Sequence, residues 1–259
     1  MKSLLLSLFG LAITSGGLTH ATSVPLPSAH DNTLYEDPTG STSNGSGPTF
    51  FAGENGGGST HRGLIAFDFS ALPAGAVIQS VSLVLFLTKA QSFPTDVALH
   101  RVLAAWGEGA SSAGNRAGGG AASAPGDATW IHTFYPGSLW SSPGGDFAAI
   151  ASGSTVVGAQ GATYSWASTP AMVADVQGWV DAPATNNGWL LHGDETQSST
   201  AKAFATREES TASKRPVLNV TYSVVPEPST LALGVAGAFV LMRRRRILTS
   251  IPRPVARRR

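Results

Sequence analysis

Val81-Ser82-Leu83-Val84-Leu85-Phe86-Leu87-Thr88 alternates two sets of side chains at the period of an extended chain. Val81, Leu83, Leu85 and Leu87 fall on one face, and Ser82, Val84, Phe86 and Thr88 on the other. Apolar groups occur on both faces, which is the pattern of a strand near the centre of a sheet. Working outward, shorter runs recur at residues 64–69, 97–103, 163–166, 189–192, 201–206 and 217–223, each bounded by Gly, Pro, Asn or Ser. Seven or more strands at irregular spacing, joined by long loops, predict an all-β fold. A jelly-roll-like β-sandwich suits that spacing better than an even barrel or a repeat array.

One helix interrupts the strands. Ser168-Thr169-Pro170 supplies a cap and a first-turn proline, and Met172, Val173, Val176, Trp179 and Val180 then recur at helical spacing. This helix is expected to cover a sheet edge. Residues 107–126, with Gly118-Gly119-Gly120, offer little to bury and read as a long mobile loop. Residues 22–30 read as a polar, proline-containing lead-in, which leaves 31–223 as the folded domain.

Composition agrees. The chain has 259 residues, 42% of them hydrophobic, enough for one sizeable core. With Gly 30, Pro 16 and only 13% charged residues, short strands and many turns are favoured over long solvated helices. Of the 17 basic residues nine lie in the terminal segments, so residues 22–242 hold eight bases against all 16 acids, a formal charge of about −8. That balance opposes phosphate binding, and no nucleic-acid partner is expected. The absence of cysteine excludes disulfides, thiolate metal sites and thiol nucleophiles.

The two ends read as addresses. Residues 1–21 have the parts of a signal peptide: Lys2, an apolar run over 4–13 too short to span a membrane, and Thr19 and Ala21 flanking His20 before a cut. At the other end Val225-Pro226-Glu227-Pro228-Ser229 precedes an apolar stretch over 230–242 and then Arg243-Arg244-Arg245-Arg246. This order resembles PEP-CTERM sorting signals. The resemblance implies a membrane-embedded exosortase that cuts at Pro226-Glu227-Pro228 and passes the protein to the envelope or outside. Physics agrees: the prolines keep the motif extended, and the four arginines resist translocation and stop transfer. The apolar stretch is short against the roughly 20 residues a bilayer needs, so a short transmembrane helix with temporary inner-membrane residence is expected. Residues 247–259 continue as a basic tail beyond the point where such signals usually end.

The middle of the chain resembles DNRLRE-type domains. The resemblance is carried by Arg62-Gly63-Leu64-Ile65-Ala66-Phe67-Asp68-Phe69, Leu72-Pro73-Ala74-Gly75-Ala76, His100-Arg101-Val102, Trp106-Gly107-Glu108-Gly109 and Asp127-Ala128-Thr129-Trp130. It continues through Asn187-Gly188-Trp189-Leu190-Leu191, Ala205-Thr206-Arg207-Glu208 and Arg215-Pro216-Val217-Leu218. Ala66 and Thr206 depart from the family pattern, which commonly has a basic residue and a serine there. The resemblance implies an exported β-sandwich related to carbohydrate-binding modules, some of them alginate-directed, and binding in place of a reaction.

All six tryptophans lie between residues 106 and 189, and aromatic faces are what sugar rings stack against. Trp106, Trp130, Trp140 and Trp166 are the carbohydrate-binding candidates, Trp106 and Trp140 being expected to be the most exposed, whereas Trp179 and Trp189 read as structural. Asp31, Asp37, Asp127, Asp146, Asp194 and Glu195 stand near turns and offer oxygens to calcium, with Asp194-Glu195 the preferred place, although no compact calcium loop is present. Arg207 with Glu208 and Glu209 reads as an ion pair that fixes the last hairpin. No nucleophile elbow, zinc-protease helix, phosphate loop or dinucleotide fingerprint occurs. The expectation is a non-catalytic polysaccharide-binding module of the cell surface or extracellular matrix. Two alternatives stay open: a structural matrix protein without a specific ligand, and a polysaccharide lyase using residues such as His100, His132, Tyr135 and Arg207.

Overall fold

The computed structural model describes residues 20–90 and 93–224. Fourteen strands form among them. The first seven are β1 (Ala21–Tyr35), β2 (Thr42–Ser43), β3 (Thr49–Glu54), β4 (Thr60–Phe67), β5 (Ala76–Ala90), β6 (Thr95–Arg101) and β7 (Ala121–Ala122). The rest are β8 (His132–Phe134), β9 (Ser138–Leu139), β10 (Gly153–Val157), β11 (Ala162–Trp166), β12 (Trp189–His192), β13 (Lys202–Ala205) and β14 (Val217–Val224). The single α-helix among the described residues, α1, spans Pro170–Asp181.

Ten of the strands build a sandwich-like pair of antiparallel layers. In the first layer β5 is central. It pairs with β11 through residues 83–87, with β14 through 76–84 and with β13 through 87–90. The second layer runs β1, β4, β12, β6, β10. Two strands belong to both. β1 pairs with β14 up to Pro27 and with β4 from Ser28 onward, the register shifting between Ser28 and His30. β3 pairs with β13 and then, at Gly53 and Glu54, with β4.

Alternation decides which side chains meet. Val81, Leu83, Leu85 and Leu87 are fully buried, while Ser82, Val84, Phe86 and Thr88 are half-exposed. The buried set packs with Phe50, Phe204 and Leu218 against Ile65, Phe67, Leu99, Trp189 and Leu191 of the second layer. Trp166 fills the same core, and its indole N–H donates to Val97 O at 2.8 Å. A buried indole left without that acceptor would cost about 1–3 kcal/mol.

α1 covers a sheet edge, as its sequence predicts. Thr169 is the N-cap and accepts from Met172 N–H at 3.0 Å. Met172, Val176 and Trp179 are buried in the core. The edge of β5 left open before β11 begins presents two amides, and both are answered from this segment: Val81 N–H donates to Ser168 Oγ (3.0 Å) and Ile78 N–H to Gln177 Oε1 (2.9 Å). Side chains replace the missing strand there.

Two sequence expectations change. Residues 22–30 are not a lead-in but part of β1, with those up to Pro27 on the edge of the first layer. Pro25 and Pro27 hide the strand from a pattern reading, yet an edge strand tolerates them because one side of its backbone needs no ladder partner. Second, residues 107–126, expected as a long mobile loop, are held at both ends, by Gly107 N–H on Thr133 O and Gly126 N–H on Tyr135 O, within a cover that runs from β6 to β10. Val102, Ala128 and Trp140 pack on Leu34, Leu64 and Leu190, the outward-facing residues of the second layer, and form a second core with Ala104, Trp106, Trp130 and Phe147 at its margin. The middle of the second layer, at β4 and β12, is therefore buried on both faces, which is why β4 is apolar without a break from Leu64 to Phe67. No helix among the described residues is long and apolar enough to cross a membrane. The expected signal peptide and the tail from residue 225 lie outside the described residues, apart from His20 and Ala21.

Candidate functional site

Polar contacts hold the cover over the second layer beside its apolar packing. The Asn32 side chain on β1 donates to Glu108 O (2.9 Å) and Ala128 O (3.3 Å). Gly107 N–H donates to Thr133 O (3.0 Å), and Ala128 N–H to Gly107 O (2.8 Å). Gly109 has φ +72°, and a Cβ there would lie 1.6 Å from Asp127 Oδ1. At Gly107, Gly109 and Gly120 glycine serves close approach, whereas Gly118 and Gly119 have open space around them.

The tryptophans divide. Trp140, expected to be exposed, is buried, with its N–H on Thr129 O (2.9 Å). Trp166 is also buried, so neither ring presents a face to a glycan. Trp179 and Trp189 are buried against each other, ring centroids 4.7 Å apart, as structural residues. Trp106 is half-buried, edge-on to His30, and its N–H is held by Asn187 O at 2.8 Å. Trp130 is half-buried beneath the Arg62 guanidinium, 5.0 Å from the ring centroid.

Arg62 organises one end of this face. Its Nε and Nη2 donate to the two oxygens of Glu195 at 2.7 and 2.8 Å, and its Nη1 to Gly144 O at 2.9 Å. The guanidinium also lies 5.3 Å from the Phe147 ring. His192 approaches Glu195 at 3.3 Å. Burial pushes the Glu195 carboxyl up, but Arg62 and His192 outweigh it and hold the group at about 2. Glu195, expected as a calcium ligand, is thus committed to an ion pair. Asp194 caps a turn, accepting from Thr196 N–H (2.9 Å) and Thr196 Oγ1 (2.7 Å).

Beside this pair His100, His192 and Phe147 form an aromatic group, with centroids 5.3 Å (His100 and Phe147), 5.6 Å (His100 and His192) and 6.0 Å (Phe147 and His192) apart. Two shallow clefts lie beside these rings, one lined by His192 and the other by Phe147. One, of about 380 Å³, is lined by Phe93, Pro94, Asp96, His192 and Asp194 among others. The other, of about 460 Å³, is lined by Leu103, Ser141, Ser142, Asp146 and Phe147 among others. A larger cavity, about 620 Å³, lies between α1 and the turn before β5. Its aromatic wall is Phe69 stacked on Trp179, both buried, so little ring surface is offered.

A third feature lies where β1 meets the cover and the turn after β13. One carboxylate oxygen each from Asp31, Glu108 and Glu208 lies within 4.8 Å of the other two. Arg207 bridges two of them, donating from Nε to Glu108 Oε1 (2.7 Å) and from Nη2 to Glu108 Oε2 (2.6 Å), with Glu208 Oε1 at 2.9 Å from Nε. The ion pair read from Arg207 and its neighbours therefore exists, but its main partner is Glu108, far away in sequence. Glu209 instead caps the following turn through Thr211 N–H (2.9 Å). Burial raises the Asp31 carboxyl well above the usual range, despite the N–H of Arg207, and raises that of Glu208. Burial also pushes Glu108 up, but hydrogen bonds from His30, Arg207 and the Asp31 N–H reverse the sign and hold it low.

The remaining acidic candidates are spent on turns. Asp37 accepts from Thr39, Ser41 and Thr42, Asp127 from the amides of Ser111 and Ala124, and Asp146 from those of Ser141 and Ser142. The residue types available to a lyase have separate partners: His132 meets Tyr135 and Thr129, His100 meets His192 and Ala148 O, and Arg207 meets the acidic cluster. Glu108 and Glu208 were not among the metal candidates read from the sequence. The cue for them was their place inside the Trp106–Gly109 and Ala205–Glu208 motifs.

Residues 224–246 match the family model of the PEP-CTERM protein-sorting motif. The tail is a PEP-CTERM sorting signal. The match covers the motif, apolar stretch and arginines read from the sequence, and it marks an exported protein processed by an exosortase. Anchoring in the membrane through this PEP-CTERM segment precedes placement in the envelope or outside the cell. No curated protein matches the chain.

Proposed function

We propose that the sandwich is a non-catalytic polysaccharide-binding module, of the jelly-roll kind and DNRLRE-like, displayed at the cell surface or in the extracellular matrix after exosortase processing. The observation that carries the reading is a trough of two neighbouring clefts, one lined by His192 and the other by Phe147, whose ring centroids lie 6.0 Å apart. Rings flanked by hydrogen-bonding side chains suit the alternating apolar and hydroxyl surfaces of a sugar chain. Asp96, Asp146 and Asp194 line the clefts. Their charge repels uronates and accepts hydrogen bonds from hydroxyls, which favours a neutral glycan over alginate.

Affinity electrophoresis of the full chain, through gels containing neutral or acidic polysaccharide, tests this. Retardation by a neutral glycan is expected, and His192→Ala and Phe93→Ala are expected to weaken it at least several-fold. Migration unchanged by every glycan overturns the reading and leaves a structural matrix protein. Unsaturated products released from any of the polysaccharides identify a lyase instead.

A further inference from the structure

We infer that Asp31, Glu108 and Glu208 form a calcium site, separate from the trough and independent of it. The three carboxylates come from distant parts of the chain: Asp31 on β1, Glu108 in the cover, and Glu208 in the turn after β13. Oxygens bound to one calcium at about 2.3–2.6 Å lie no more than about 5 Å apart. The three here are already within 4.8 Å of one another.

Two of these carboxylates are incompletely satisfied. Asp31 is fully buried. Its Oδ2 accepts from Arg207 N–H (3.0 Å) and Ser28 Oγ (3.4 Å), but Oδ1 is buried with no partner among the described residues. Glu208 Oε2 is likewise buried and unpartnered. Buried carboxylate oxygens are rarely left so, because each forfeits hydration without a replacement. Glu108 is fully used, accepting from Asp31 N–H and from Arg207, with His30 Nδ1 at 3.5 Å. Its oxygens can be shared between donors and an ion.

The charge points the same way. Three carboxylates against the one guanidinium of Arg207 leave two formal negative charges when the His30 ring beside Glu108 is neutral, and a divalent ion cancels them. An all-oxygen set without histidine or thiol selects a hard cation, and irregular geometry drawn from three segments suits calcium better than magnesium, which demands a near-ideal octahedron. Solvent or backbone oxygens complete the shell. The ion would tie β1, the cover and the turn after β13 together in a chain that has no cysteine for the purpose.

The test uses the full chain in mild detergent, stripped with EDTA and then given calcium chloride alone. Calorimetric titration is expected to find one calcium per chain, and the thermal midpoint is expected to rise by several degrees over that in chelator. Asp31→Asn and Glu208→Gln are expected to abolish that rise. Glu208 is partly solvent-exposed, so Glu208→Gln carries the comparison if Asp31→Asn does not fold. Terbium supplies a second readout. Trp106 lies 6.4 Å from the His30 ring, which itself contacts Glu108, so terbium emission excited through tryptophan is expected, reversed by calcium and reduced several-fold in Trp106→Phe. A wild-type midpoint identical in calcium and chelator, or a calcium response unchanged in both carboxylate variants, overturns the proposal.

Discussion

His61 lies against Tyr35 (ring centroids 4.9 Å, edge-on) and Phe51 (5.8 Å), only 2% exposed, with Nδ1 buried and unpartnered among the described residues. Burial lowers its pKa to about 4, against a partial offset from Glu36. The unfolded chain then binds a proton at about pH 6.5 that the folded chain refuses until about pH 4. Stability from this group is therefore complete above pH 6.5 and is lost as pH falls toward 4, on the order of 3 kcal/mol in all. Urea midpoints of the wild type and His61→Phe at pH 7 and pH 4.5 check this: the wild type is expected to lose more, and parallel losses would refute the assignment. The residue type was visible in the sequence but its burial was not, since His61 pairs with Tyr35 across a sheet and 26 positions of chain. The same limit separates Trp140 from Trp106. Both have glycine and serine neighbours, and only the cover's docking buries one and leaves the other partly open.

Among the elements, strands with strong alternation and the capped helix were legible because local pattern and tertiary environment agree there. β12 and α1 lie where periodicity puts them. β1 was hidden by its prolines, and β3 and β10 by short, partly polar runs whose partners are far away. Residues 107–126 read as mobile because glycine-rich composition describes both a mobile loop and a tightly apposed one; Gly107 and Gly109 are of the second kind, whereas Gly118 and Gly119 have open space around them. Trp140→Ala probes the difference. A structural cover is expected to lose about 3–5 kcal/mol, seen in the urea midpoint, from the cavity and the unpaired Thr129 carbonyl. Amide exchange is expected to accelerate first in residues 102–152. A loss under about 1 kcal/mol would mean that the cover contributes little to the fold.

At the scale of the molecule, the chain joins a sandwich stabilised by two cores to a tail that decides where it goes. Replacing the sorting motif with Pro226→Ala, Glu227→Ala and Pro228→Ala should leave the sandwich folded and the chain unprocessed. Immunoblots of cell fractions are then expected to find the full-length chain in the membrane, with the shorter released form lost; unchanged release would remove the motif from the process. By itself the sequence determined the all-β class, the helix and its cap, and the sorting tail, because each is written in neighbouring residues at a fixed spacing. It also supplied the residue types of both proposed sites. Only the tertiary structure decided which aromatics stay open and that Asp31, Glu108 and Glu208 meet, 77 and 100 positions apart along the chain. Burial and long-range register are properties of the packed layers, and no local period encodes them.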